Sequence, residues 1–237
     1  MSRVALGAAA VVGALFATAT ISRARAQDFD DVLVERRSVE SPERFALELR
    51  VGPYTPEVGN SSFTDTFGND TGPLLAAEFD VLVWHIPYVG PIGIGGGIGW
   101  VDYTASAFAQ GSTDRVTTET DLSLVPISLV AVLRIDVLAR KLNIPFVLTG
   151  KIGADYVLWD SNVGSTDSAS GGSFGLRWAA QLAFELDFFD RRAARSLDEE
   201  WGINHSWLFV EVFGSDAGGD SLPVGDTTWA VGLGFTF

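Results

Sequence analysis

The chain has no cysteine, one methionine, two histidines and only 16 basic residues against 30 acidic ones. Without cysteine there are no disulfides, no thiolate metal sites and no lipidated cysteine anchor. The formal charge of −14 disfavours binding to a phosphate backbone, so nucleic acid is not an expected partner. Disorder is the other common meaning of strong acidity. It is countered by 47% hydrophobic and 11% aromatic residues, which give the chain much to bury. Also missing, after residue 26, is any apolar run of the roughly 18 residues that a membrane-spanning helix needs. An exported chain of this kind can still cross a bilayer as a closed barrel, where every backbone group pairs between strands.

The first 26 residues read as an export signal. Arg3 supplies a positive start, Val4–Ile21 is an Ala-rich apolar run, and Ala24-Arg25-Ala26 fits a small-x-small cleavage site. Arg3, Arg23 and Arg25 go with that segment, leaving −17 on the remainder. Residues 27–43 are charged and aperiodic, and are expected to form a mobile periplasmic lead-in.

What is present from Arg44 onward is alternation with a period of two, the mark of strands with two unlike faces. It is clearest in the last stretch, Thr228–Phe237. Trp229, Val231, Leu233, Phe235 and Phe237 alternate there with Ala230, Gly232, Gly234 and Thr236. Ending on Phe, the stretch resembles the assembly signal of bacterial outer-membrane barrels. The first strand shows the same pattern, with Phe45, Leu47, Leu49 and Val51 against Ala46, Glu48, Arg50 and Gly52. Eight such segments are expected, forming an all-β, eight-stranded antiparallel up-and-down transmembrane barrel over residues 44–237. A short helix is expected at residues 190–200, within the 188–204 connection. Long connections (55–73, 105–119, 160–173, 214–226) alternate with mostly shorter ones (86–91, 137–144, 188–204), as outer-membrane barrels require.

Charge and aromatic residues agree with that orientation. The long connections hold ten acids and one base, Arg115, whereas Arg140, Lys141, Arg191, Arg192 and Arg195 lie on the other side. Aromatic girdles are expected at two levels. Tyr54, Trp100, Tyr103, Tyr156, Phe174, Phe213 and Trp229 would form the outer one. Phe45, Tyr88, Phe146, Phe184, Trp207 and Phe237 would form the inner one.

If large apolar residues face lipid, the lumen receives Glu48, Arg50, Glu78, Asp80, Arg134, Asp136, Lys151, Asp155, Arg177, Glu185, Asp187 and Glu211. An eight-stranded barrel is narrow enough for side chains to fill. Charges buried there must pair, which predicts a ladder of ion pairs. In the third strand Gly93, Gly95, Gly97 and Gly99 share the inner face and are expected to make room for Trp84 or Trp159. No phosphate-cradle spacing accompanies them. Pro126 lacks a ladder donor and should mark a bulge or weak point.

The chain resembles small outer-membrane barrels of the OmpA/OmpW type, and more closely an uncharacterised family known from myxobacteria. The residues carrying this are Phe45–Tyr54-Thr-Pro, the segments Leu122–Asp136 and Ile144–Trp159, and Asp190–His205. The resemblance implies a barrel in the outer membrane and brings no ligand or catalytic residue. The expected role is structural or in surface interaction, with no cofactor, metal or catalytic residue. The expected partners are outer-membrane lipids, lipopolysaccharide and the barrel-assembly machinery, and the protein is expected to be a monomer. Alternatives are a narrow passive channel for small solutes or apolar compounds, and a lipid-A-modifying enzyme. The enzyme is disfavoured because only His85 and His205 could serve as imidazole bases, and Ser206 should face away from His205.

Overall fold

A computed structural model describes residues 43–56, 71–108, 115–163, 167–218 and 223–237. The signal segment and all but the last residue of the lead-in lie outside these. The chain forms β1 (Phe45–Tyr54), β2 (Gly72–Ile86), β3 (Gly90–Phe108), β4 (Arg115–Ile135), β5 (Phe146–Val163), β6 (Asp167–Glu185), β7 (His205–Ser215) and β8 (Asp226–Thr236). Every neighbouring pair is antiparallel, and β8 pairs back to β1, so the sheet closes into an eight-stranded barrel. No strand edge is left to meet lipid.

Closure runs through both ends of the barrel sequence. Leu49 lies opposite Leu233 and Ala46 opposite Thr236. The Arg44 and Phe45 N–H groups donate to the Phe237 carbonyl at 2.7 and 3.1 Å, and Phe237 N–H donates to the Phe45 carbonyl at 2.9 Å. Outside the barrel, Trp229, Val231 and Leu233 are exposed, in line with the apolar faces of the other strands. An apolar wall of this extent is stable only against acyl chains.

β3, β4, β5 and β6, at 18–21 residues, are much longer than a bilayer crossing requires. β5 and β6 stay paired out to Val163 opposite Asp167, so the 160–173 segment, expected as a loop, is mostly ladder. β3 and β4 likewise extend through most of the 105–119 segment, pairing out to Phe108 opposite Arg115. At about 3.3 Å per residue these strands reach well past a hydrocarbon core of about 30 Å, even when tilted. The two hairpins therefore rise above the membrane.

Two local irregularities matter inside. Between Ile98–Ile127 and Val101–Leu124 the β3–β4 ladder lapses, opposite Val125 and Pro126, and resumes in unchanged register. This is the weak point expected of a residue with no N–H. A register shift between Leu82 and Trp84 leaves Val83 unpaired. That bulge reverses the parity of the strand end, so Trp84 points outward instead of into the lumen.

The other side of the barrel carries two helices. α1 (Val137–Leu142) occupies what reads as a plain turn in the sequence, and α2 (Arg191–Trp201) is the expected helix, preceded by a 3-10 turn at Leu186–Phe188. α2 ends where Gly202 takes φ 70°, with Gly202 N–H donating to Asp198 and Ile203 N–H to Leu197. Deleting Phe237 removes hydrogen bonds that close the seam. The expected outcome is a smaller heat-shifted, folded band on cold SDS gels at unchanged total expression.

Candidate functional site

Inward-facing side chains fill the barrel in four layers. At the centre, Lys151 of β5 meets three carboxylates: Glu78 at 2.5 Å, Glu48 at 2.6 Å and Glu211 at 3.1 Å. The contacts to Glu78 and Glu48 are hydrogen bonds donated by the ammonium, and the contact to Glu211 is an ion pair. Arg50 of β1 reaches the same three, at 3.0 Å to Glu48, 3.1 Å to Glu78 and in close contact with Glu211. Glu48 also accepts from Gln181 Nε2 at 3.1 Å and from Arg134 at 3.5 Å. Six strands contribute to this knot, and Glu48, Arg50, Glu78, Lys151 and Glu211 are all essentially inaccessible to water. β3 and β8 contribute space instead. A Cβ on Gly97 would stand 2.6 Å from Ser128 Oγ, and one on Gly232 or Gly234 would strike the rings of Phe209 or Trp207.

Cations in the lumen also lie on aromatic faces. Arg134 stands 4.3 Å from the Trp207 ring centroid and Arg177 stands 4.6 Å from that of Phe213. Arg177 pairs with Asp155 at 3.6 Å. Among the described residues Asp80 and Asp155 both have carboxylate oxygens without a hydrogen-bond partner, but Asp155 pairs with Arg177 whereas no ion pair reaches Asp80.

Above the knot, toward the long hairpins, lies an apolar plug. Tyr54, Leu74, Val101, Tyr103, Leu122, Leu124, Val157 and Phe213 pack together there with Ala217 and Val224 from beyond β7. The Tyr54 hydroxyl donates to the Val224 carbonyl at 2.7 Å, and the Tyr103 hydroxyl donates to the Tyr54 carbonyl at 2.5 Å. Residues 216–218 and 223–225, between β7 and β8, thus fold over the mouth. This corrects the expected girdles: Tyr54, Tyr103, Phe213 and Trp207 face the interior. Trp100, Tyr156, Phe174 and Trp229 remain on the outer surface, as do Phe45, Tyr88 and Phe146 at the other end. The reason is parity, since level along the strand and face of the strand are independent variables. The inner glycines of β3 lie against Asp80, Ser128, Leu74 and Pro126, whereas Trp159 sits over Gly171 of β6.

Below the knot, Ala46, Val147, Ala183, Trp207 and Phe209 form a smaller apolar layer. The rim beneath it is ionic. Arg140 of α1 reaches Glu185 at 2.9 Å, Glu43 at 3.7 Å and Asp136 at 3.8 Å. His205 Nδ1 is 2.5 Å from Asp187, and Nε2 faces Glu43 at 3.2 Å. The Ser206 hydroxyl donates to the other Asp187 oxygen at 3.3 Å and not to the imidazole, so the three groups do not form a nucleophile–base dyad. Burial pushes the Glu43 carboxyl up, but the His205 ring and then Arg140 outweigh it and hold the group below its ordinary value. At Asp136 burial wins over Arg140 and the carboxyl is raised.

Of the twelve lumen charges expected from the sequence, eleven are buried and Asp187 is half-buried, but they separate. Glu48, Arg50, Glu78, Arg134, Lys151 and Glu211 form the knot, Asp155 and Arg177 sit at its edge, and Asp136, Glu185 and Asp187 belong to the rim. Sequence reasoning left the apolar plug and the Arg140–Glu43–His205–Asp187 rim unforeseen. The plug had a signal: Leu74, Val101, Leu122, Leu124 and Val157 give their strands two apolar faces at one level.

The fold is shared by solved outer-membrane proteins. OprG from Pseudomonas aeruginosa aligns with a TM-score of 0.51 at 14% identity, over 82% of this chain and 96% of that one. Ail, the attachment invasion locus protein of Yersinia pestis, aligns at 0.43 and 14% identity over 82% and 97%. Neisserial surface protein A aligns at 0.43 and 12% identity over 81% and 97%. No protein-family model and no curated protein matches the chain. A closed barrel with an apolar exterior belongs in a bilayer, and this architecture is the one bacterial outer membranes hold.

Two expectations follow for stability. Glu48→Gln strips a charge from the knot while leaving Lys151 and Arg50 buried, at a cost of about 3–5 kcal/mol. Asp80→Asn removes the unpaired charge and should leave urea unfolding in lipid vesicles unchanged or shifted upward. For the rim, the Glu43 pairing contributes above the ordinary carboxylate range and is lost as pH falls through the depressed value. Melting of wild type and Glu43→Gln should therefore differ at neutral pH and converge in acid.

Proposed function

We propose that this protein is a non-enzymatic outer-membrane barrel with a sealed lumen, acting structurally or through its raised hairpins at the cell surface. The observation carrying this reading is the continuous filling of the interior: apolar plug, ion knot, apolar layer and ionic rim, one above another. A hydrated solute would have to displace the plug and break buried ion pairs together. Lipids and lipopolysaccharide are its surroundings in this reading, and it works as a monomer. The β8 residues Trp229, Val231, Leu233, Phe235 and Phe237 serve as the strand recognised by the barrel-assembly machinery before it joins β1. Residues 1–26 act as a cleaved export signal, and 27–43 as a periplasmic lead-in.

Reconstitution into planar bilayers tests the sealed lumen. The expected record shows no steady open steps, in wild type or in Asp80→Asn. Steady unitary conductance in wild type would instead support the narrow-channel reading.

A further inference from the structure

The connection between β6 and β7 exposes more aromatic surface than a soluble turn would. Phe188, Phe189 and Trp201 are 54%, 74% and 73% exposed, and none is part of the barrel wall. Phe188 and Phe189 continue the wall's own lipid-facing surface. Phe146 and Phe184 lie edge to face with centroids 5.3 Å apart, Phe189 lies 5.4 Å from Phe184, and Phe188 lies 6.4 Å from Phe189. The aromatic surface thus runs without a break from strands β5 and β6 onto the connection.

Charge complements this surface. The first half of α2 carries Arg191, Arg192 and Arg195, and its acids, Asp198, Glu199 and Glu200, come later. Basic residues first and acidic last is the order opposed by the helix's own dipole. An anionic surface beside the first half would offset that cost. By helical spacing Ala194, Leu197 and Trp201 share one stripe, the pattern of a helix lying in a membrane interface.

We propose that the β6–β7 connection is an anchor on the inner leaflet of the outer membrane. Phe188, Phe189 and Trp201 sit at the boundary of the acyl chains, and the basic half of α2 sits at the level of anionic phospholipid phosphates. This rests on the membrane-barrel reading and assigns the connection a partner of its own: the phospholipid leaflet, and not a periplasmic protein.

The absence of cysteine makes the test direct. Single-cysteine forms of the full chain, Phe189→Cys, Trp201→Cys, Glu199→Cys and Leu176→Cys, are spin-labelled in vesicles of phosphatidylcholine and phosphatidylglycerol. Heat-shifted gel mobility verifies that each is folded. Relaxation by oxygen and by a nickel chelate then reports depth. Labels at 189 and 201 are expected to favour oxygen, as at 176 on the lipid-facing wall, with the order reversed at 199. Omitting phosphatidylglycerol should lower the oxygen-to-nickel ratio at 201. Nickel dominating at 189 and 201 while 176 still reads lipid overturns the anchor and leaves the barrel intact. That result would instead fit a partner in the periplasm. An unchanged ratio without phosphatidylglycerol overturns the anionic assignment, and nickel dominating at 176 overturns the barrel reading on which the anchor rests.

Discussion

Lys151 and Arg50, each shared among Glu48, Glu78 and Glu211, hold the barrel's interior together. The charges involved are costly to bury singly, and their mutual distances are what make the burial tolerable. Because the partners come from β1, β2, β5 and β7, the knot ties opposite sides of the wall across the lumen. Register in every intervening strand pair must be correct for it to form. A slip of one residue would turn the charges toward lipid. The knot is thus a check on assembly as much as a source of stability.

Space for the knot comes from the strands that contribute no charge to it. Gly95 and Gly97 on β3, and Gly232 and Gly234 on β8, are positions where a Cβ would meet Asp80, Ser128, Phe209 or Trp207. Large and small residues therefore alternate around the circumference, which is how a narrow barrel accommodates Trp207, Phe209 and two guanidinium groups. The plug above uses the same economy with apolar groups, and its tyrosines place their hydroxyls on backbone carbonyls.

How much of this was legible depended on whether a feature is local to one strand. The outward positions of β8 and the inward glycines of β3 follow from a period of two and are found where that period puts them. β4, apolar on both faces, also keeps the parity that sets Arg134 inside. Trp84 lies outside because a single bulge, invisible in the alternation, reverses the end of β2. Tyr54, Tyr103, Phe213 and Trp207 stand at girdle height but face inward, and strand parity, not height, sets that face. Residues 160–173 looked like loop because Ser, Gly and Asp dominate them, yet pairing between two long antiparallel strands carries the ladder onward. β-propensity is weak enough for such pairing to override it.

The sequence by itself determined that the chain would form alternating strands, that its greasy faces would need lipid, and that paired charges would be enclosed. These follow from side-chain chemistry and the geometry of an extended backbone. Only the tertiary structure decided which charges meet. Arg50 and Glu211 are 161 residues apart, and Glu43 joins His205 and Arg140 at the rim because three separate connections end there. Such encounters depend on barrel closure and strand stagger, which are properties of the whole sheet, so no single strand's pattern can encode them.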